Sequence, residues 1–272
     1  MSLEFRVIGL HRRDPAFIAA MDEAILEECE AGRSPPTLVY HNWAKSITIA
    51  GSQALSDIDL VASQAQGFKV VRMITGGKAV VHFPDTEFSY SLFVPRRPGD
   101  INITETYSTY CGRIAQALSS FGLGNVVVDN NDIFVDGQKI AGNAQRVKNN
   151  FSMQQGLILY NKPDARTMLS LMNSELYPDS AIEELEALLT GFAEHSVADQ
   201  ADLIERLTDR LTLGYHYTGQ LTRREKERIR QILPSYRTLE KPHAKIVSGL
   251  CWLPAPIYLE NKRLREEARA HA

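Results

Sequence analysis

A glycine turn between two short apolar runs is the first stretch of this sequence that suits chemistry. It reads Arg-Met-Ile-Thr-Gly-Gly-Lys-Ala-Val-Val-His, from Arg72 to His82. Because Gly76 and Gly77 lack Cβ atoms, the backbone there can adopt positive φ and lie close to a ligand. Arg72 and His82 add a cation and an imidazole, which suits an anion such as a phosphate or a carboxylate. A plain hairpin turn without a ligand fits the same pattern.

Residues 126–160 form the second such stretch, in which short apolar runs alternate with turn signals, including an Asp-Gly pair. This pattern predicts a β-meander. The meander would bring Asn131, Asp132, Lys139 and Gly142 close together. A lysine that points into a pocket acts as a point charge on an anion, and Asp132 can hold a divalent metal or orient a polar group. The alternative is a hairpin whose Lys139 faces solvent.

The elements that must position these residues follow from hydrophobic periodicity and capping signals. A helix is predicted after the capping residue Asp14, and its Met21, Asp22 and Glu23 are expected to form a mixed face with a solvated acidic edge. Trp43 is expected in the core or in the wall of a ligand pocket. Strands are predicted at 3–10, 37–43, 46–50 and 68–74, and helices at 15–31, 58–64, 103–121, 181–189, 197–211 and 223–233.

Composition narrows the class of protein. The content of 44% hydrophobic and 23% charged residues is typical of a globular protein. The formal net charge of −3 argues against a nucleic-acid partner. The three cysteines are far apart and show no metal-ligand spacing, which predicts a reducing compartment. The sequence contains no apolar run of about 18 residues, so no membrane span is predicted. It also lacks a signal-peptide core, and we therefore expect a cytoplasmic protein.

Three ordered motifs resemble the lipoate–protein ligase A family, within the wider group of biotin and lipoate ligases and octanoyltransferases. They are Tyr-His-Asn-Trp-Ala-Lys-Ser-Ile-Thr-Ile-Ala-Gly-Ser-Gln at 40–53, the glycine turn, and Asn-Asp-Ile-Phe-Val-Asp-Gly-Gln-Lys-Ile-Ala-Gly-Asn-Ala-Gln-Arg at 131–146. The resemblance covers roughly residues 5–162, with a weaker echo at 221–240. It implies an α+β fold of the class II synthetase and biotin/lipoate ligase type, with mixed, largely antiparallel sheets and packed helices.

The resemblance also implies a reaction. Lipoate and ATP, with Mg²⁺, would form lipoyl-AMP, and a lysine of a lipoyl-carrier domain would then attack this mixed anhydride. The carriers implied are the E2 component of 2-oxoacid dehydrogenases and the glycine cleavage H protein. Lys139 would contact the acyl carbonyl and the α-phosphate, and Arg72 would bind the phosphates. The resemblance assigns ligand binding to Trp43, Gly76, Gly77, Lys78, His82, Asn131, Asp132, Gly142, Asn143 and Ala144, with Asp132 as the Mg²⁺ ligand.

Departures from the family pattern leave alternatives open. Lys78 stands in place of the third glycine and Met73 in place of a second arginine, and Gln155 stands where many members carry a histidine. Octanoyltransferases and one amidotransferase branch use a cysteine in the loop before the lysine strand. That loop, residues 129–132, has no cysteine, and Cys111 belongs to a predicted helix, which favours adenylation. The alternatives are an ATP-independent octanoyl or lipoyl transferase and a non-catalytic lipoyl-binding subunit.

The resemblance suggests a division of the chain. Residues 1–180 would form the core of the catalytic domain, and residues 181–272 a helical extension packed on it, shorter than a full accessory domain. Either a separate accessory subunit would supply that domain or the protein would function without it. The helix after Thr222 is basic, so it would either be solvated or bind acidic lipoyl-carrier domains. We expect an irregular segment at 245–258 and a helical tail at 259–272.

Overall fold

An eight-stranded mixed sheet lies at the centre of the computed structural model, which describes residues 3–97, 103–178 and 180–239. Across the sheet the strands are β11 (His216–Thr218), β1 (Phe5–Arg13), β2 (Thr37–Trp43), β6 (Glu87–Pro95), β10 (Phe151–Leu159), β9 (Gln138–Val147), β8 (Asp132–Val135) and β7 (Val126–Asp129). β1 pairs in parallel with β11 and β2, and the other neighbouring strands are antiparallel. The predicted meander from β7 to β10 is confirmed.

A three-stranded sheet carries the glycine turn. Its order is β4 (Lys69–Arg72), β3 (Ser46–Ile49) and β5 (Val80–His82). β3 lies in the middle, parallel to β4 and antiparallel to β5. The interpretation of the turn as a plain hairpin is therefore wrong, because the two strands that it joins pair with β3 and not with each other.

Helices cover both faces of the large sheet. They are α1 (Pro15–Glu30), α2 (Leu60–Ala65), α3 (Ile103–Ser119), α4 (Ala165–Ser170), α5 (Ala181–Leu188), α6 (Gln200–Thr212) and α7 (Arg223–Ile232). One buried cluster joins the sheet to α3 and α6, and a second joins its opposite face to α1 and α7. The mixed sheet with packed helices is the predicted architecture. No helix in the described part of the chain is both long and apolar enough to cross a bilayer.

The helix starts follow their capping residues. The Asp14 carboxylate accepts a hydrogen bond from the Ala16 amide, with Pro15 in the first turn of α1, as predicted. At α7, which begins at the predicted residue 223, Thr222 and Glu225 form a capping box. α6 begins at Gln200 and not at the predicted residue 197, because Asp199 forms the capping box of this helix.

The segment after residue 180 contributes to the central core. α6 buries Leu203, Leu207 and Leu211 completely against α3 and the sheet. The segment also supplies the edge strand β11, so its described part is not only helical. The division of the chain at residue 180 stays a prediction. The irregular segment and the tail expected beyond residue 244 lie outside the described residues.

A buried ion pair joins α7 to the sheet. Arg6 of β1 lies 2.6 Å from Glu225, with side chains only 3% and 0% exposed. Arg6 also donates to Thr37, and Ser34 donates to Glu225. Burial by itself would raise the pKa of Glu225, but the hydrogen bonds from Arg6 and Ser34 outweigh it and hold this pKa below the ordinary value of 4.5.

We expect Glu225→Ala to lower the free energy of unfolding by roughly 3–5 kcal/mol, because it leaves the Arg6 guanidinium buried without its partner. Since the folded-state pKa of Glu225 is lowered, the pair stabilises the fold fully above pH 4.5 and this stabilisation is lost as the pH falls through the folded-state pKa. Denaturant titrations at several pH values measure both effects. The control is Arg6→Met with Glu225→Met, which should be less destabilising; an equal or greater loss would contradict this account.

Candidate active site

A cleft with walls from both sheets brings together many of the residues singled out in the sequence. It is lined by Trp43, Thr48, Ile49, Ala50, Met73, Thr75, Gly76, Lys78, Val80, His82, Ser89, Asn143, Ala144, Gln155, Gly156 and Leu157. The remaining predicted site residues, Arg72, Gly77, Asn131, Asp132, Lys139 and Gly142, lie in the turn and strands that carry this wall. The structure therefore gathers two motifs that are far apart in sequence, one from each sheet.

The glycine turn forms part of the cleft wall. Gly77 has φ of 104°, a conformation that strongly favours glycine, whereas Gly76 lies outside the positive-φ region. The Gly51 amide donates a 3.1 Å hydrogen bond to the Thr75 carbonyl, which holds the turn against the end of β3. The backbone conformation at Gly77 is therefore the reason that this position needs glycine.

His82 is held on three sides. Its Nε2 lies 3.0 Å from Thr48 Oγ1, its Nδ1 bonds to the Glu87 carboxyl group, and its ring stacks on Trp43 at 4.6 Å. Burial raises the pKa of Glu87, although His82 acts in the opposite direction. Trp43 is 1% exposed and also lines the cleft, so both of its expected locations apply. The pair of rings forms a rigid aromatic wall.

Lys139 is buried and paired. Its Nζ lies 2.6 Å from Asp132 Oδ2, with the two side chains 3% and 10% exposed. The pair forms because β9 folds back on β8, which places Gly142 opposite Asp132 and Lys139 opposite Phe134. The alternative of a solvent-facing Lys139 is therefore wrong.

Two asparagines connect the loop that precedes β8 to strand β9. Asn131 Nδ2 donates to the Asn143 carbonyl at 2.6 Å, and Asn143 Nδ2 donates to the Asn131 carbonyl at 2.8 Å. This reciprocal pair fixes the position of Asp132, which follows Asn131 directly. Next to Asn143, Ala144 lines the cleft with a small side chain, which leaves space there.

Arg72 holds the segment after β3. Its Nη1 donates to the carbonyl oxygens of Ala50, Gly51 and Gln53 at 2.9, 3.3 and 2.7 Å. Burial lowers the pKa of this guanidinium, although an arginine stays charged. In this structure Arg72 shapes the rim beside the glycine turn, and its predicted contact with phosphates stays a prediction.

A buried carboxylate beneath the cleft differs from the sequence expectation. Asp22 is fully buried, so a solvated acidic edge is wrong for this residue. It accepts hydrogen bonds from Ser91 and from Gln155, each at 2.8 Å, and lies 3.4 Å from His41. Gln155 in turn accepts from Thr75 of the glycine turn. The sequence contained one signal of this burial, because Asp22 lies four residues after Ile18 and three before Ile25, on the apolar face of α1.

No cysteine with an accessible thiol lies in the described ranges. Cys111 of α3 is fully buried, as predicted, with Gln154 Nε2 at 3.8 Å from its Sγ. Burial, with a smaller contribution from the nearby Asp132, raises the pKa of Cys111 to about 12. Cys29 is also buried, and burial raises its pKa to about 12. Cys251 lies outside the described residues. A thiol with so high a pKa is a poor nucleophile near neutral pH.

The described ranges contain no group of three His, Cys, Asp or Glu side chains arranged to hold a metal ion. Asp132 would offer a single carboxylate, and one of its oxygens is already bonded to Lys139. A lone carboxylate matches Mg²⁺ only when the ligand supplies phosphate oxygens. The assignment of Mg²⁺ to Asp132 therefore stays a prediction.

A second, larger cavity of about 90 Å³ adjoins the cleft and shares Lys78, Val80 and Leu157 with it. Its other walls are Gln53, Asp57, Ala79, Val81, Leu159, Pro163, Met168, Leu169, Met172, Leu176, Tyr177, Leu185 and Leu189. Leu189 also forms a bridge with Lys139, which places the lysine next to this cavity. The mostly apolar lining, with a few polar groups, is typical of a small-molecule site.

We expect Gly77→Ala to lower the free energy of unfolding by roughly 1–3 kcal/mol, because alanine at this φ is strained. Gly76→Ala is the matched control, since its φ is not positive, and it should cost less. Chemical denaturation of both variants provides the measurement. Equal costs for the two variants would mean that the turn is not limited by its backbone conformation.

Comparison with known structures shows the same fold. The bi-partite lipoate protein ligase of Thermoplasma acidophilum superposes with a TM-score of 0.79 at 19% identity, over 89% of this chain and 100% of that one. A lipoate-protein ligase A bound with ATP gives 0.74 at 19% identity, over 88% and 97% of the two chains. The predicted fold class, that of the lipoate ligases, is thereby confirmed.

Curated relatives carry a different activity in their names. Octanoyltransferase LipM of Macrococcus caseolyticus is 30% identical over 186 residues, 58% of this chain and 67% of that protein. Octanoyltransferase LipM of Anoxybacillus flavithermus is 30% identical over 235 residues, 76% of this chain and 79% of the relative. Residues 14–211 match the family described as the lipoyl protein ligase A/B catalytic domain. This chain belongs to that family.

Proposed function

We propose that this enzyme transfers a lipoyl or octanoyl group to the ε-amino group of a lysine on a lipoyl-carrier domain, and that the acyl group is first activated with ATP as an acyl-adenylate. One observation carries the proposal. The buried Lys139–Asp132 pair belongs to the β8–β9 hairpin, whose strand β9 lines the cleft with Asn143 and Ala144, and the loop at residues 129–132 contains no thiol. Such a site stabilises negative charge but offers no nucleophile for an enzyme thioester.

The first step would join the acyl carboxylate to the α-phosphorus of ATP, with release of pyrophosphate. In the second step the amine of the carrier lysine would attack the acyl carbonyl. The bond between the carbonyl carbon and the phosphate oxygen breaks, AMP leaves, and the ammonium proton is lost to solvent. Lys139 would donate hydrogen bonds to the α-phosphate in the first step and to the carbonyl oxygen in the second.

The paired cavities support a ligand with two parts. The cleft has an aromatic wall at Trp43 and His82 and a small residue at Ala144, which suits a slender acyl chain. The second cavity is mostly apolar and adjoins Lys139 through Leu189, and the nucleoside would lie on this side. Asp132 would position the Lys139 ammonium, and Mg²⁺, supplied with ATP, would neutralise phosphate charge beside it.

A second candidate is ATP-independent transfer of octanoate from an acyl-carrier thioester. The names of the two LipM relatives favour it, since both are called octanoyltransferases. Lys78 in the glycine turn is a further departure from the ligase pattern. Both candidates make the same amide on the same kind of acceptor, and they differ in the acyl donor.

Lys139→Met should lower lipoyl transfer and ATP–pyrophosphate exchange by at least about 100-fold, because the developing charge loses its donor. Lys148→Met is the control, since Lys148 is exposed at the β9–β10 turn. Lys139→Met also leaves Asp132 buried, so Lys139→Met with Asp132→Asn keeps the test valid if the single variant unfolds. Full activity in a folded Lys139 variant would contradict the mechanism.

The acyl donor is identified by parallel assays with a purified lipoyl-carrier domain. We expect modification with ATP plus lipoate or octanoate, pyrophosphate exchange with those acids and not with biotin, and none with octanoyl-carrier protein in the absence of ATP. ATP-independent transfer would establish the second candidate. Binding of acyl ligands without any turnover would instead indicate a non-catalytic subunit.

A cysteine-free variant tests the thiol directly, because the chain has three cysteines. Cys29→Ala, Cys111→Ala and Cys251→Ala together should retain transfer within about threefold if no enzyme thioester forms. Thermal unfolding checks that the fold survives the two buried changes, and Cys251→Ala alone serves as the milder variant. Abolition of transfer in the folded variant would show that a thiol takes part.

A further inference from the structure

Lys78 lies where the two cavities meet. It directly follows Gly77 and lines both the cleft and the second cavity, together with Val80 and Leu157. Its side chain is half-buried. A ligand that occupies both cavities must therefore pass its ammonium group.

The other cations near the cleft already have partners. Lys139 pairs with Asp132, and Arg72 donates to three backbone carbonyls. Lys78, by contrast, forms no hydrogen bond or ion pair with any residue in the part of the chain that the structure describes. Lys78 is thus the cation at this site whose donors are available to a ligand.

Few negatively charged side chains lie near Lys78. Of the residues that line the two cavities, Asp57 carries the one carboxylate, and its Oδ2 accepts a hydrogen bond from Gln53. An uncommitted ammonium beside largely apolar walls attracts an anion more strongly than an ammonium in water does. In a ligand that occupies both cavities, the anion beside Lys78 would be the group that joins the part in one cavity to the part in the other.

We propose that Lys78 binds a phosphoryl group of the acyl donor at the junction of the two cavities. The ligand class rests on the proposed function. Both candidate donors carry such a group: the α-phosphate of ATP and of an acyl-adenylate, or the phosphodiester of an acylated phosphopantetheine arm. The backbone of a glycine supplies no charge, so Lys78 gives this enzyme a contact that a glycine at the same position lacks.

The substitution Lys78→Met keeps most of the side-chain volume and removes the charge. Loss of a charge-assisted hydrogen bond should weaken binding of the phosphate-bearing donor roughly 10-fold to 100-fold. Lys78→Arg should retain binding within a few-fold. The affinity for lipoate alone should fall less than the affinity for the phosphate-bearing donor, because its carboxylate carries a single negative charge and no phosphoryl group. Lys148→Met is the surface-charge control.

Isothermal titration of the intact protein with ATP, with octanoyl-phosphopantetheine and with lipoate tests the proposal. Weaker ATP binding in Lys78→Met supports it with an adenylate donor. Weaker octanoyl-phosphopantetheine binding, in a protein that does not bind ATP, supports it while overturning the adenylation proposal. Unchanged affinity of Lys78→Met for whichever phosphate ligand the natural protein binds overturns the role of Lys78 and leaves adenylation standing. Absence of binding to both phosphate ligands overturns both proposals.

Discussion

The desolvation of charged groups is the constraint around which the cleft is built. An ion moved from water into a protein interior loses several kcal/mol of solvation, so a buried charge persists only beside a partner. Lys139 has Asp132, the Glu87 carboxyl group has His82, and each partner comes from a neighbouring strand or turn. The hairpin of β8 and β9 thus supplies the partner that the buried Lys139 needs. The same constraint draws attention to Lys78 beside the cavities, because no residue in the described ranges pairs with it.

Adjacent residues in β10 point to opposite faces of the sheet and make different contacts. Gln154 points to the face covered by α3, where it donates to Tyr90 and lies near Cys111. Gln155 points to the opposite face, where it lines the cleft and donates to Asp22 of α1. Because successive side chains point to opposite faces, two identical neighbours serve different purposes. Gln155 connects a carboxylate of α1 to the glycine turn, so the position of the turn depends on a residue in the first helix.

Local signals made much of the fold predictable. The capping of α1 and α7 and the meander from β7 to β10 depend on residues close in sequence, and the structure confirms them. The pairing of β4 and β5 with β3 was not predictable, because strand order depends on contacts between distant segments. The burial of Asp22 was missed for the same reason, since its partners lie on β6 and β10.

By itself the sequence determined which chemical groups this protein has available. The ordered motifs identified the family, and the cysteine-free loop at 129–132 directed attention to adenylation rather than to an enzyme thioester. Only the tertiary structure decided which charges are committed. It engages Arg72 with backbone carbonyls, pairs Lys139 with Asp132, and leaves Lys78 beside two adjoining cavities. The physical reason is that residue type sets a charge, whereas burial and partners, which come from distant parts of the chain, set what that charge can bind.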